Sequence, residues 1–236
     1  MLRHAIGRGV AMTRLRVVNL ALPKTGTTTL TDALRHAGLT VADWRIRAGQ
    51  SRNKDLKGMH LGKILYADYF ATGDPLARLG EFDVINEMSA VREDQSLWPQ
   101  TDWGLLSAIQ THHPEVKFIL TTRNPAKTAD SVMRWNNLGK RRLPAADVPG
   151  LPRGFGRSED ELARWMAAHY AFCRRMFEGE SNFMEYDIED PQAPAKISAY
   201  LGVDLPWWGR SNVGTPATLP AGAMQKGYSQ TSAALH

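Results

Sequence analysis

The feature that most constrains this chain is a short polar loop between an apolar run and an amphipathic segment. The apolar run ends at Leu22, and residues 23–29 then read Pro-Lys-Thr-Gly-Thr-Thr-Thr. Apolar residues at the spacing of one helix face follow at Leu30, Ala33, Leu34 and Ala37. Gly38 comes next and is typical of a helix stop. The pattern predicts a buried strand, a tight turn and the N-terminus of a helix.

The residue types in this loop are suited to an anion. Lys24 supplies a positive charge, and Gly26 lets the backbone approach a phosphate closely. Four hydroxyl groups belong to Thr25, Thr27, Thr28 and Thr29. The first N–H groups of a helix have no intrahelical acceptor and lie at the positive end of its dipole. We therefore expect the loop to bind a phosphate; the alternative is an ordinary strand-to-helix turn with a threonine N-cap and Lys24 in solvent.

The position of the lysine excludes the strict P-loop motif. A Walker A loop reads G-x-x-x-x-G-K-[ST], with the lysine after the last glycine. Here Lys24 precedes Gly26, and no glycine lies four or five residues upstream of Gly26. The phosphate-binding turn predicted in this chain is therefore of a different kind.

Strand and helix segments alternate along the chain. Apolar runs predict strands at residues 17–22, 82–86, 116–122 and 183–186. Periodicity and capping predict helices at about residues 30–37, 59–70, 105–109, 125–138, 159–177 and 193–201. Residues 45–58 are expected to form a loop, and residues 143–157, rich in Pro and Gly, an exposed loop or lid. The order predicts an α/β fold, a three-layer α/β/α arrangement with a central, mainly parallel sheet.

Three charged residues close predicted strands, namely Lys24, Glu87 and Arg123. Ligands of open α/β sheets bind outside the carboxyl ends of the strands. We therefore expect these three side chains to lie at one rim of the sheet and to form a single site. His112 and His113 precede a strand, so they are expected at the opposite rim.

A second group of residues suited to phosphate follows the third predicted strand. Arg123 offers a planar fork of donors that matches phosphate oxygens. Asn124 and Pro125 predict the N-cap and first position of a helix. Ser131 follows Arg123 by eight positions, so it can lie over the same anion two turns into that helix. The alternative is an arginine paired with carboxylates and a surface serine.

The loop at residues 23–29 and the Arg123–Ser131 pair together resemble the two cofactor-binding motifs of sulfotransferases that use 3′-phosphoadenosine 5′-phosphosulfate (PAPS). Further segments similar to those of small soluble bacterial members are residues 82–87, 97–99, 113–123 and 185–191, with Leu201-Gly202. The resemblance implies a fold like that of P-loop nucleoside triphosphate hydrolases. It also implies a single sulfotransferase domain over residues 1–236, with an N-terminal extension at residues 1–14 and an irregular tail at residues 206–236.

The resemblance also implies roles for individual residues. Residues 25–29 would hold the 5′-phosphate of PAPS, and Arg123 and Ser131 would hold its 3′-phosphate. Lys24 would neutralise the charge that develops on the leaving oxygen. Lys226 is the nearest match to a C-terminal phosphate-binding loop of the family, although the arginine of that loop is absent. PAPS would be the co-substrate and 3′-phosphoadenosine 5′-phosphate (PAP) the product, with no metal expected.

Sulfuryl transfer also needs a base within hydrogen-bond reach of the acceptor. Glu87 is the first candidate, since some sulfotransferases use a carboxylate at this place and burial raises the pKa of a carboxyl group. The alternative is a structural carboxylate that pairs with Lys24 or Arg123. His60 is the second candidate, and its alternative is a surface or packing histidine.

Composition bounds the partners and the compartment. The formal charge of +5 is dispersed, apart from residues 140–142, and favours anionic ligands without indicating nucleic acid. No apolar run approaches the roughly 18 residues of a membrane span, and residues 1–14 lack the apolar core of a secretory signal. The single cysteine, Cys173, excludes an intrachain disulfide. We expect a cytoplasmic enzyme that acts on a small-molecule or glycan acceptor; the acceptor's identity and the oligomeric state stay open.

Two other functions compete with sulfuryl transfer. In a P-loop kinase or nucleotide hydrolase that uses Mg-ATP, Glu87 would hold Mg²⁺ as a Walker-B-like acid. The displaced Lys24 and the Arg123–Ser131 pair argue against this function. The third possibility is a catalytically silent member of the fold that serves as a binding module.

Overall fold

The structure, a computed structural model, describes residues 14–92 and 94–209. Its strands are β1 (Val17–Asn19), β2 (Val41–Ala42), β3 (Val84–Ile85), β4 (Ala90–Arg92), β5 (Gln95–Leu97), β6 (Lys117–Thr122) and β7 (Phe183–Asp187). Its α-helices are α1 (Thr27–His36), α2 (Leu61–Thr72), α3 (Trp103–His112), α4 (Pro125–Arg134), α5 (Leu143–Ala145), α6 (Glu159–Met176) and α7 (Ala193–Leu201). Short 3₁₀ turns cover Lys54–Leu56 and Pro99–Thr101, and a π-helical turn covers Leu138–Arg142.

Five strands form one parallel sheet in the order β2-β3-β1-β6-β7. Val18 of β1 lies in register with Ile85 on one side and with Phe118 on the other. Because all five strands run the same way, the residues that follow β1, β3 and β6 lie at the same edge. The predicted α/β fold with a mainly parallel sheet is confirmed. Strands β4 and β5 form a separate antiparallel pair.

Helices cover both faces of the sheet, as the near-continuous apolar sequence of its strands requires. On one face, Val18, Phe118 and Leu120 pack in a core with residues of α2, α3 and α6. On the other face, Val17 and Ile119 pack with residues of α1 and α7. In the described ranges, no helix is both long and apolar enough to cross a membrane.

The segment at residues 143–157 corrects a prediction from composition. It was expected to be an exposed loop or lid, but Leu143, Val148 and Leu151 are all buried. These apolar residues, placed between the prolines and glycines, form a core with Trp165 and other residues of α6. The Trp165 indole N–H also donates to the carbonyl of Pro149 at 2.9 Å. The segment is therefore part of the packed structure.

Other differences concern short elements and helix ends. The two-residue strand β2 and the β4–β5 pair were not predicted, because runs of two or three residues carry no readable period. The helix predicted at residues 125–138 ends at Arg134, since the backbone of Trp135 is extended and that of Asn136 is left-handed, with φ of 43°. The predicted helices at residues 159–177 and 193–201 agree with α6 and α7.

Candidate anion-binding site

The loop between β1 and α1 turns sharply around two residues with left-handed backbone. Lys24 has φ of 72° and Gly26 has φ of 107°. A Cβ atom on residue 26 would lie 2.5 Å from Cγ1 of Ile188, so both the backbone and the packing require glycine. Gly26 is the N-cap of α1, which has no side-chain cap hydrogen bond and no acidic residue in its first turn. The positive end of this helix therefore carries no capping side chain or first-turn carboxylate, which suits an anion.

The threonine side chains of the loop have different hydrogen-bond partners and different exposure. The Thr25 hydroxyl is buried and donates to the carbonyl of Leu22 at 2.8 Å, so it closes the turn. The Thr27 hydroxyl donates to Oε2 of Glu87 at 2.8 Å. Thr28 is half-buried and Thr29 is buried. Thr25 can therefore contribute its backbone N–H to a ligand more readily than its hydroxyl, which was expected to bind phosphate.

Glu87 is the second residue after the end of β3, and its carboxylate lies between two hydroxyls. Oε2 accepts from Thr27 and Oε1 accepts from Ser89, each at 2.8 Å. Burial raises the pKa of Glu87 to about 7; the hydrogen bonds from Ser89 and Thr27 oppose the rise, and Asp43 adds to it. The residue also has φ of 46°, an uncommon conformation for a side chain of this size. A strained, partly buried carboxylate that titrates near neutrality is typical of a functional site.

The ammonium group of Lys24 lies over an aromatic ring. Nζ is 3.2 Å from the centroid of Trp135, a cation–π contact. Burial lowers the pKa of Lys24 to about 8; Glu87 opposes this, while Arg123 and Arg134 lower it further. These charges act on one another, so the residues form one electrostatic neighbourhood at the edge of the sheet. None of the ion pairs found in the described residues joins Glu87 to Lys24 or Arg123, contrary to the structural alternative for that carboxylate.

Arg123 directly follows β6 and forms an ion pair with the exposed carboxylate of Glu189. Its Nε donates to Oε1 of Glu189 at 3.1 Å, and Nζ of Lys127 donates to the other oxygen at 2.7 Å. The backbone N–H of Arg123 lies 3.4 Å from the hydroxyl of Tyr170 on α6. Arg123 and Tyr170 also line a cavity of about 580 Å³ at the ends of β6 and β7, together with Thr122, Asn124, Pro125, Ala167, Arg174, Glu185, Tyr186, Asp187, Asp190 and Lys196.

The remaining predicted residues lie in different places. Ser131 is half-buried on α4 and is not among the residues that line the cavity beside Arg123. His60 is the N-cap of α2, and its ring packs 5.7 Å from that of Trp44. The Nε2 atom of His60 is buried without a hydrogen-bond partner, and burial is the main reason that its pKa is lowered. Lys226 lies outside the described residues.

His112 and His113 lie at the end of α3, before the amino end of β6, where they were expected. His113 ends the helix before β6, at the amino end of that strand, and contacts Asp74 at 2.8 Å. This rim is opposite to the one that carries Lys24 and Arg123.

Several residues of the site were missed by sequence reasoning. Ser89 and Glu189 bind the predicted residues directly, yet neither belongs to a recognisable motif. Asn19 and Asn86 are fully buried at the ends of β1 and β3. An asparagine within an apolar strand was the one signal that pointed to them, because a buried amide needs partners.

A comparison with protein-family models gives no match, and no curated protein shows a significant match to the chain. The function of the site therefore rests on the residues and distances described above.

Proposed function

We propose that this chain is a sulfotransferase that transfers a sulfuryl group from PAPS to a hydroxyl or amine of a small-molecule or glycan acceptor. The observation that carries the proposal is the presence of two separate cationic positions on adjacent strands. Lys24 lies in the turn after β1, and Arg123 lies at the end of β6, which pairs with β1. PAPS has anionic groups at its 5′ and 3′ positions, so one nucleotide accounts for both.

The first position suits the 5′-phosphosulfate. The N-terminus of α1 offers backbone N–H groups and the positive end of a dipole, and Lys24 adds a full charge. With a pKa of about 8, Lys24 is mostly protonated at neutral pH. Its ammonium group can therefore donate a hydrogen bond to the bridging oxygen as negative charge develops there. Electrostatic stabilisation of this kind is a large part of catalysis in the related transfer of phosphoryl groups.

Glu87 suits the role of base. Its pKa of about 7 allows a carboxylate at neutral pH that still accepts a proton readily. The Glu87 carboxylate removes the proton of the acceptor hydroxyl or amine, and the acceptor atom forms a bond to sulfur. The bond between sulfur and the bridging oxygen breaks, and the electron pair stays on the phosphate, where Lys24 compensates it. The hydroxyls of Thr27 and Ser89 orient the carboxylate.

The proposal also covers the topology of the fold, the cellular compartment and the absence of a nucleic-acid partner. We infer a P-loop-like topology, in which the phosphate-binding turn follows a central strand of the parallel sheet. We also infer that nucleic acid is not a partner, because the charge of +5 is dispersed. We infer cytoplasmic action because a chain with a single cysteine fits a reducing compartment.

Nucleotide binding provides the decisive measurement. Calorimetric titration with PAP in the absence of Mg²⁺ should give saturable binding, and incubation with PAPS and a panel of hydroxyl and amine acceptors should give a sulfated product. A protein that binds Mg-ATP but not PAP would contradict the proposal. Binding of PAP without transfer to any acceptor would indicate a silent binding module instead.

One observation favours the kinase or hydrolase alternative. The Thr27 hydroxyl, at the first residue of α1, bonds Glu87 at the end of the neighbouring strand at 2.8 Å. A hydroxyl and an acid in these places hold Mg²⁺ in P-loop nucleoside triphosphate hydrolases. On that alternative, ATP affinity should rise steeply with added Mg²⁺, and Glu87→Gln should abolish the rise. Lys24 precedes Gly26, whereas the lysine of a Walker A loop follows the last glycine, and this difference argues against the kinase or hydrolase alternative.

A further inference from the structure

A chain of buried side-chain hydrogen bonds crosses the sheet near the carboxyl ends of its strands. It joins Tyr186 of β7, Thr121 of β6, Asn19 of β1 and Asn86, which follows β3. It ends at Thr27, the first residue of α1. Four strands and a helix are thus linked by side chains, in addition to the backbone bonds of the sheet. We call these five residues the sheet-crossing network.

The geometry gives the network a consistent direction. The Thr121 hydroxyl lies 2.9 Å from the Tyr186 hydroxyl and 3.2 Å from Oδ1 of Asn19. Asn19 Nδ2 donates to Oδ1 of Asn86 at 2.7 Å. Asn86 Nδ2 then donates to the carbonyl of Thr27 at 2.8 Å and to the hydroxyl of Thr31. Each amide group is therefore used as both donor and acceptor.

One end of the network holds the start of α1 from two sides. Asn86 binds the carbonyl of Thr27, and the next residue, Glu87, binds the hydroxyl of Thr27. The first turn of the helix is thereby fixed against the end of β3. The other end lies beside the second cationic position, because Thr121 precedes Arg123 by two residues and Tyr186 lines the cavity next to Arg123.

Burial of two amide groups in this network is unfavourable by itself, and the sheet does not need these amides to form. Asn19 and Asn86 are fully buried, and the backbone ladder pairs these strands without help from the two side-chain amides. A buried amide contributes to stability only if its partners are in place, and a fully satisfied network rigidifies its surroundings. Rigidity between the two cationic positions is therefore the feature that the network adds.

We propose that Asn19 and Asn86 are positioning residues that fix the spacing between the loop at residues 23–29 and Arg123, an inference that rests on the proposed function. Neither residue contacts the reacting atoms; each acts through the backbone and side chains that it holds. A fixed spacing favours a ligand whose two anionic groups match it, since the second group binds without further ordering of the protein. The network therefore favours a nucleotide phosphorylated at both its 5′ and 3′ positions over one phosphorylated at a single position.

The test compares one ligand that occupies both positions with two that occupy one each. Calorimetry would give Kd values for PAP, adenosine 5′-monophosphate and adenosine 3′-monophosphate with the wild-type protein and with Asn19→Leu. Loss of one buried amide is expected to weaken PAP about tenfold and each monophosphate less than about threefold. Hydrogen exchange at residues 27–31 should also become faster in the variant.

Two further variants keep the result interpretable. Asn182→Leu makes the same substitution at the amino end of β7, where the Asn182 amide donates to Val116, and it should leave the ratio of PAP to monophosphate affinity unchanged. Thr121→Val breaks the network with little change in volume, so it serves if Asn19→Leu does not fold.

The outcomes separate the inference from the function on which it rests. If the variants weaken all three nucleotides by the same factor, Asn19 has only a general structural role and the inference is wrong. If the wild-type protein binds no PAP, the proposed function fails and the inference fails with it.

Discussion

The two cationic positions at the edge of the sheet differ in what holds the cation. Lys24 lies over the ring of Trp135 and forms no ion pair within the described part of the chain. Arg123 shares the carboxylate of Glu189 with Lys127. An aromatic ring leaves the charge of a lysine largely uncompensated, whereas a carboxylate compensates that of an arginine.

The difference indicates two kinds of anion binding. A phosphate that enters beside Lys24 meets a helix N-terminus, a lysine with its charge available and a turn that is already formed. A phosphate that enters beside Arg123 exchanges one anion for another, because Glu189 has to be displaced or accommodated. We therefore expect Lys24 to contribute mainly to the reaction and Arg123 mainly to affinity and its modulation.

The largest effect is expected for Lys24→Ala. In the proposed reaction Lys24 stabilises the leaving oxygen, so loss of its charge should lower the kcat of sulfuryl transfer about 100- to 1,000-fold. The affinity for PAP should fall much less, because the N-terminus of α1 remains. Lys140→Ala, a substitution of an exposed lysine, is the control and should leave both quantities unchanged. An equal loss in kcat and in PAP affinity would remove the distinction between the two positions.

The pH dependence of the reaction should report Glu87 and Lys24 together. In the proposed reaction Glu87 acts as a base only when ionised, so kcat/KM should rise with pH through about 7. Lys24 acts only when protonated, so kcat/KM should fall as pH rises through about 8. The expected profile is a narrow bell. Glu87→Gln should lower kcat about 100-fold and abolish the rising limb; a rising limb that persists in this variant assigns the base elsewhere, with His60 the next candidate.

Glu87→Gln should also change the free energy of unfolding, in a direction that follows from the raised pKa of Glu87. The pKa of Glu87 is raised from an ordinary 4.5 to about 7 in the folded chain, so the folded state favours the protonated carboxyl. The stability that the protonated Glu87 contributes to the folded state is fully present below pH 4.5 and is lost as the pH rises through 7. Glu87→Gln should therefore raise the free energy of unfolding at pH 8 by about 1 to 3 kcal/mol. Urea unfolding at pH 4 and pH 8 would check it, with no gain expected at pH 4.

A smaller and more selective effect is expected for Arg123→Ala. Loss of a charge-assisted contact should weaken PAP binding about 10- to 100-fold, while adenosine 5′-monophosphate should change less than about twofold. Arg141→Ala, at an exposed position, should leave both affinities unchanged. Equal losses for the two nucleotides would place Arg123 at the 5′-phosphate instead.

The sequence predicted the parts of this site that depend on local patterns. The unit from Val17 to His36 follows from an apolar run, a polar loop and a helical period, all within one stretch. The contact between Arg123 and Glu189 joins residues 66 positions apart, and that between Asn19 and Asn86 joins residues 67 apart. No periodicity or capping rule relates such pairs. Composition failed at residues 143–157 for a similar reason, because packing against α6 decides their burial.

The smallest effect, and the one most specific to the comparison, is expected for Glu189→Gln. Neutralising the carboxylate releases Arg123 and Lys127 for an incoming phosphate, and PAP should bind about two- to fivefold more tightly at low salt. The gain should shrink as salt is added, because both partners are partly exposed and their interaction is screened. Glu178→Gln, which removes an exposed ion pair with Arg175 at the end of α6, should not change PAP affinity. Weaker binding by Glu189→Gln would show the opposite: that Glu189 holds Arg123 in its binding orientation, so that both positions are preorganised and the contrast between them disappears.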